Sequence, residues 1–118
     1  MPAQLTIHVL DTARGRPARD VRVELWSLDG PQPRLLKTVA TNGDGRTDAP
    51  LLAAEELRAG QYELVFCVGD YFAKAGLTNG RGRFLDRVPV RFGIADVSTS
   101  YHVPLLVSPW SYTTYRGS

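Results

Sequence analysis

Hydrophobic and polar residues alternate with a period of two through much of the chain. Leu5, Ile7 and Val9 point to one side of a predicted strand, and Thr6, His8 and Leu10 to the other. Val21, Val23 and Leu25 alternate with Arg22, Glu24 and Trp26, and Tyr62, Leu64, Phe66 and Val68 make a further apolar face. Val88, Val90, Phe92 and Ile94 form another, as do Tyr101, Val103, Leu105 and Val107. Turn formers separate the runs: Arg14-Gly15-Arg16-Pro17, Asp29-Gly30-Pro31, Asn42-Gly43-Asp44-Gly45 and Ser108-Pro109. Short strands divided by such turns predict an all-β, antiparallel fold of the sandwich or barrel type. One helix is expected over residues 70–75, with Asp70 as N-cap and Gly76 ending it. Residues 51–58 are a second helical candidate, stopped at Gly60. No repeat, linker or low-complexity segment breaks the pattern, so residues 1–118 read as one domain.

Composition narrows the classes. With 43% hydrophobic and 22% charged residues, the chain of 118 has the content of a globular domain and not of a disordered one. Its single cysteine, Cys67, excludes an intrachain disulfide and a thiolate zinc cluster, and favours a reducing compartment. No run approaches the roughly 18 apolar residues of a membrane span. The first ten residues lack a basic region followed by a long apolar one, so no signal peptide is expected and the cytoplasm is the expected location. The net charge is +2, and Arg81, Arg83, Arg87 and Arg91 cluster. They are interleaved with Gly82, Asp86 and apolar residues and lack an aromatic stacking motif, which describes a solvated face and not a nucleic-acid site.

Candidate chemistry starts from the two histidines, His8 and His102, both within predicted strands. Each lies opposite the apolar face of its strand, so neither belongs to the core. Their own face is nevertheless greasy: Thr6 and Leu10 flank His8, and Pro104 and Leu106 lie beyond His102. Such a face meets a ligand or another subunit, and two imidazoles there could serve as base and acid near neutral pH. The segment Thr41-Asn42-Gly43-Asp44-Gly45-Arg46 reads as a hairpin tip. It resembles part of a calcium loop, but the later acidic ligands are missing, so no metal is expected. From that turn Arg46 could reach a neighbouring cleft and polarise a carbonyl. The final segment, Pro109-Trp110-Ser111-Tyr112-Thr113-Thr114-Tyr115-Arg116-Gly117-Ser118, reads as a strand running to the last residue, rich in aromatic and hydroxyl groups.

Three stretches carry a resemblance. Leu5-Thr6-Ile7-His8-Val9-Leu10-Asp11-Thr12-Ala13-Arg14-Gly15-Arg16-Pro17-Ala18, the turn at residues 41–46, and Tyr101-His102-Val103-Pro104-Leu105-Leu106-Val107-Ser108-Pro109 running on to Tyr115-Arg116-Gly117-Ser118 resemble, in unchanged order, the transthyretin-like family. The closing Tyr-Arg-Gly-Ser is similar to that of the family's hydrolase branch and separates it from the hormone carriers, as does His8, where the carriers have lysine. The resemblance implies a sandwich of two four-stranded sheets, a homotetramer built as a dimer of dimers around a channel, and hydrolysis of 5-hydroxyisourate without a metal or cofactor. It makes His8, Arg46, His102 and Ser118 catalytic candidates, and His8, Arg46, Tyr115 and Arg116 substrate-binding ones. Which histidine is the base stays open. Two departures stand out: Ser100 replaces a frequent histidine, and Phe84-Leu85-Asp86 replaces an aromatic-proline element. A carrier without turnover and an immunoglobulin-like interaction module are the competing readings.

Overall fold

The computed structural model describes residues 2–78 and 82–118, so Arg81 of the arginine cluster lies outside the described residues. Along the chain run β1 (Leu5–Asp11), β2 (Arg16–Pro17), β3 (Arg22–Ser27), β4 (Arg34–Ala40), β5 (Gly60–Cys67), α1 (Val68–Lys74), β6 (Arg87–Ile94), β7 (Tyr101–Val107) and β8 (Tyr112–Thr114). They form two four-stranded sheets with orders β2-β1-β7-β8 and β4-β3-β5-β6. The residues that alternation assigned inward meet between the sheets. Leu5, Val9, Val23, Leu25, Leu64, Phe66 and Leu105 are fully buried there. Each such side chain stabilises the sandwich by roughly 1.5–3 kcal/mol.

The pairing departs from a purely antiparallel sandwich at one place that matters. β1 and β7 run parallel, with Thr6 opposite His102 and His8 opposite Pro104. Side-chain alternation reports which face a residue takes but not the direction of its neighbour, so the parallel pair was invisible in the pattern. β4 was also hidden, because Arg34–Ala40 is an edge strand with little burial to mark it. Glu24 faces outward as expected, yet it is buried, because Arg87 grips both its carboxylate oxygens and Trp26 Nε1 donates to it.

The helix begins two residues before the expected start. Val68 opens α1 while keeping the buried side that made it look like strand, and Cys67 is the capping position in place of Asp70. Asp70 lies in the first turn and pairs with Arg83 at 2.7 Å. Ala75 caps the helix end, and Gly76 follows in the left-handed region at φ 75°. The second candidate shrinks to one 3-10 turn, Ala54–Glu56, between the buried Leu51, Leu52 and Leu57. α1 is tied to the end of β1 by a buried polar network: Tyr71 OH donates to Asp11 Oδ2 at 2.7 Å, and Arg14 Nη2 donates to Tyr71 OH at 2.6 Å. The described arginines of the cluster are engaged with carboxylates, Arg83 with Asp70 and Asp86, Arg87 with Glu24 and Arg91 with Glu63. Their charge is largely neutralised locally.

Candidate active site

The parallel register places the two imidazoles diagonally across one sheet face. His8 and His102 have ring centroids 6.5 Å apart and planes inclined by 33°. Both are half-buried, as are Leu10 and Leu106, which pair further along the same face. Each ring is held. His102 Nδ1 is 2.8 Å from Thr6 Oγ1, the residue directly opposite on β1. His8 Nε2 is 3.0 Å from the Asp44 carbonyl oxygen. A carbonyl only accepts, so His8 donates from Nε2, and the neutral ring keeps its lone pair on Nδ1.

The loop that supplies that carbonyl is docked on β1, and it is not the tip of a paired hairpin. Val9 N–H donates to the Gly45 carbonyl at 2.8 Å. Gly45 sits at φ 74°, and a Cβ there would collide with the Val9 carbonyl oxygen, so the close approach requires glycine. Asn42 shapes the turn by accepting from the Asp44 and Arg46 N–H groups through Oδ1. Thr41, buried, anchors the start: its hydroxyl donates to Ala18 O and accepts from Val21 N–H. These contacts place the exposed Arg46 within electrostatic range of both imidazoles. Burial first, and the positive charge of Arg46 second, lower the His8 pKa. The same two causes in the same order lower that of His102, with His8 adding to them. Both rings are therefore biased towards the neutral form.

The terminal segment interrupts its pairing with β7 and resumes it in the same register, Leu105 facing Thr114 and His102 facing Gly117. β8 stops at Thr114, and the chain then returns to β7 through a bridge in which Gly117 N–H donates to the His102 carbonyl at 2.8 Å. Gly117 lies flat against the His102 ring. A Cβ on it would stand 2.6 Å from His102 Cδ2. Tyr115 is exposed and lines a cleft of 260 Å³ with Val90, Phe92, Tyr101 and Val103, at the edge between the sheets. Arg116 is occupied as well: its guanidinium lies 4.2 Å over the Tyr101 ring and donates to the Ser100 carbonyl at 3.1 Å. Ser118 is exposed beyond Gly117, and the group seen to hold His8 is the Asp44 carbonyl. Among the described residues, no group of three His, Cys, Asp or Glu side chains is placed to hold a metal ion.

A profile of the HIUase/Transthyretin family matches residues 5–117. The chain belongs to that family. A 5-hydroxyisourate hydrolase from Mesorhizobium japonicum is 57% identical over 115 residues, covering 98% of this chain and 92% of the relative. Among solved structures, Klebsiella pneumoniae 5-hydroxyisourate hydrolase superposes with a TM-score of 0.76 at 33% identity, covering 98% of this chain and 99% of the other. The crystal structure of an (S)-allantoin synthase gives a TM-score of 0.90 at 48% identity. The match covers 98% of this chain, which spans only 44% of that longer one.

Within the HIUase/Transthyretin fold, His8 and His102 share one face with the exposed Arg46 in electrostatic range, while Arg116 lies over Tyr101 and Tyr115 borders the cleft at the sheet edge. Thr6, Gly45 and Gly117 were not singled out as site residues by the sequence. Thr6 was legible only as a neighbour of His8, since its partner is 96 residues away. The glycines act through what they leave empty, which no residue pattern displays.

Proposed function

We propose that this protein hydrolyses 5-hydroxyisourate to 2-oxo-4-hydroxy-4-carboxy-5-ureidoimidazoline, adding water across a ring amide C–N bond in urate catabolism. The observation that carries the reading is the pair of half-buried imidazoles 6.5 Å apart, their pKa values lowered first by burial and then by Arg46, on one face of this family's sheet. His8 Nδ1 takes a proton from water as its oxygen bonds to the ring carbonyl carbon. Arg46 stabilises the oxyanion that develops. As the C–N bond breaks, His102 orients the substrate and relays a proton to the leaving nitrogen through Nε2. Two neutral rings and one permanent cation suit this task near pH 7, where an imidazole can both accept and return a proton. No metal or cofactor enters the scheme. Ser118 and Tyr115 would contribute hydrogen bonds from the terminal segment, which Gly117 holds against His102.

The same face supports assembly. Half-buried Leu10 and Leu106 flank the histidines on a sheet surface that would otherwise meet water, which fits a homotetramer with its sites in a channel. Residues 1–118 then act as one domain, and the unpaired Cys67 suits the reducing cytoplasm. The deciding measurement is the decay of absorbance of freshly generated 5-hydroxyisourate with and without protein. Acceleration well above the spontaneous rate is expected. Decay at the spontaneous rate, with the compound merely bound, would establish a carrier instead.

A further inference from the structure

We propose that Thr6 is a positioning residue for His102, its hydroxyl fixing which way round the imidazole sits in the site. The inference rests on the hydrolase reading for its effect on turnover, but the geometry behind it does not.

An imidazole has two nearly isosteric orientations related by a half-turn about its Cβ–Cγ bond. The half-turn exchanges Nδ1 with Cδ2, and Nε2 with Cε1. Nothing in ring shape chooses between them, so the choice has to come from the ring's edges. In this structure the two edges meet different surroundings. The Nδ1 edge faces Thr6 Oγ1 at 2.8 Å. The Cδ2 edge faces Gly117, which lacks a Cβ and so leaves room for a carbon–hydrogen edge. Turning the ring over would put a carbon against the hydroxyl and leave Nδ1 beside the glycine, forfeiting the hydrogen bond. It would also place Cε1 where Nε2 must meet the substrate. Because Nδ1 is already engaged, Nε2 is the nitrogen left for proton relay.

The location of Thr6 supports the role. It is the direct cross-strand partner of His102 in the parallel ladder, so backbone register delivers the hydroxyl to the ring without a flexible side chain. Threonine is β-branched and stiff about its first torsion, which suits an orienting group on a strand. The hydroxyl lies on the outer face, away from the buried Leu5 and Ile7 on either side of it, so the fold does not need it.

The test uses Thr6→Val, which keeps shape and strand preference and removes only the hydroxyl, with Thr6→Ser as the conservative rescue. Loss of one such hydrogen bond should lower kcat by roughly three- to tenfold with KM little changed. Thr6→Ser should restore most of it. The independent readout is the proton contact of the His102 ring, recorded by NMR without substrate: its Hδ2 should lie near the Gly117 α-protons, because Cδ2 faces Gly117. Wild type and Thr6→Ser should show that contact alone, and Thr6→Val should add a contact of Hδ2 with the residue 6 side chain as the turned-over ring becomes populated. If Thr6→Val folds poorly, Thr6→Ala serves in both measurements. A valine variant with the wild-type Hδ2 contacts would overturn the proposal, whether or not kcat fell, because a loss of rate would then have another origin. A wild-type protein that shows the single ring orientation but no hydrolysis would instead remove the function and leave the positioning intact.

Discussion

Replacing Gly117 with alanine adds one methyl group at the point where the terminal segment touches His102. The new Cβ would lie 2.6 Å from His102 Cδ2, about 0.8 Å inside the 3.4 Å at which ordinary contact begins. It would meet Pro104 Cγ at 3.4 Å, which is ordinary contact, so the clash is with the ring. The backbone of Gly117 is not left-handed, so the objection is space and not conformation. The ring cannot simply retreat, because Thr6 Oγ1 holds its opposite edge at 2.8 Å. Either the imidazole tilts or the segment lifts and breaks the Gly117 N–H bond to the His102 carbonyl. A displacement near 1 Å at a reacting group costs up to about a hundredfold, so kcat/KM should fall by roughly ten- to a hundredfold. Stability should change by less than about 1 kcal/mol, because the segment is mostly exposed and makes few contacts. Initial rates of 5-hydroxyisourate decay, paired with a thermal melt, measure both. An alanine variant within twofold of wild type would refute the claim that this contact sets the ring.

His8→Asn and His102→Asn should each lower turnover by about 10²–10⁴ with melting unchanged; near-normal rates in both would remove the histidines from the mechanism. Deleting residues 115–118 should abolish turnover while the protein elutes at the size of the full chain, since the lost contacts reach His102, Ser100 and Tyr101 at the sheet edge; full activity would sink the terminal contribution. Burial and Arg46 hold both imidazole pKa values below the ordinary 6.5, so activity that needs neutral rings should rise with pH through a midpoint below 6.5 and then level off. Arg46→Met removes a depressing charge and should move the ring titrations upward when followed by NMR; midpoints that stay put would show that Arg46 does not act on them.

How much of this was written in the sequence depends on how local each signal is. The outward face of His8 and His102 was legible because each stands in an unbroken seven-residue strand whose alternate positions are buried. The lapse in pairing after Thr114, before the bridge at Gly117, was not legible, since it depends on which residue of β7 stands opposite. The start of α1 was missed because Val68 is buried in either conformation. The approach of Arg46 to the histidines depends on Gly45 docking against Val9, a contact between residues 36 apart. Turn chemistry at Asn42-Gly43-Asp44-Gly45 marked a bend in the sequence but not what the bend would rest upon.

The parallel pairing of β1 with β7 also bears on the order in which the molecule assembles. Thr6 and His102 are separated by 96 residues, whereas Ser27 and Arg34, paired in β3 and β4, are seven apart. Closing the longer loop from an unfolded chain costs roughly 2 kcal/mol more in entropy. The β4-β3-β5-β6 sheet can grow by antiparallel additions of nearer segments, and it offers an apolar platform before the chain ends meet. The sheet bearing the imidazoles should then close late, and amide protons of β1 and β7 should gain protection after those of β3 and β5 in pulse-labelled refolding. Scaffold and chemical competence thus arrive at different times: one whole sheet can be in place while the two rings are still on unconnected strands.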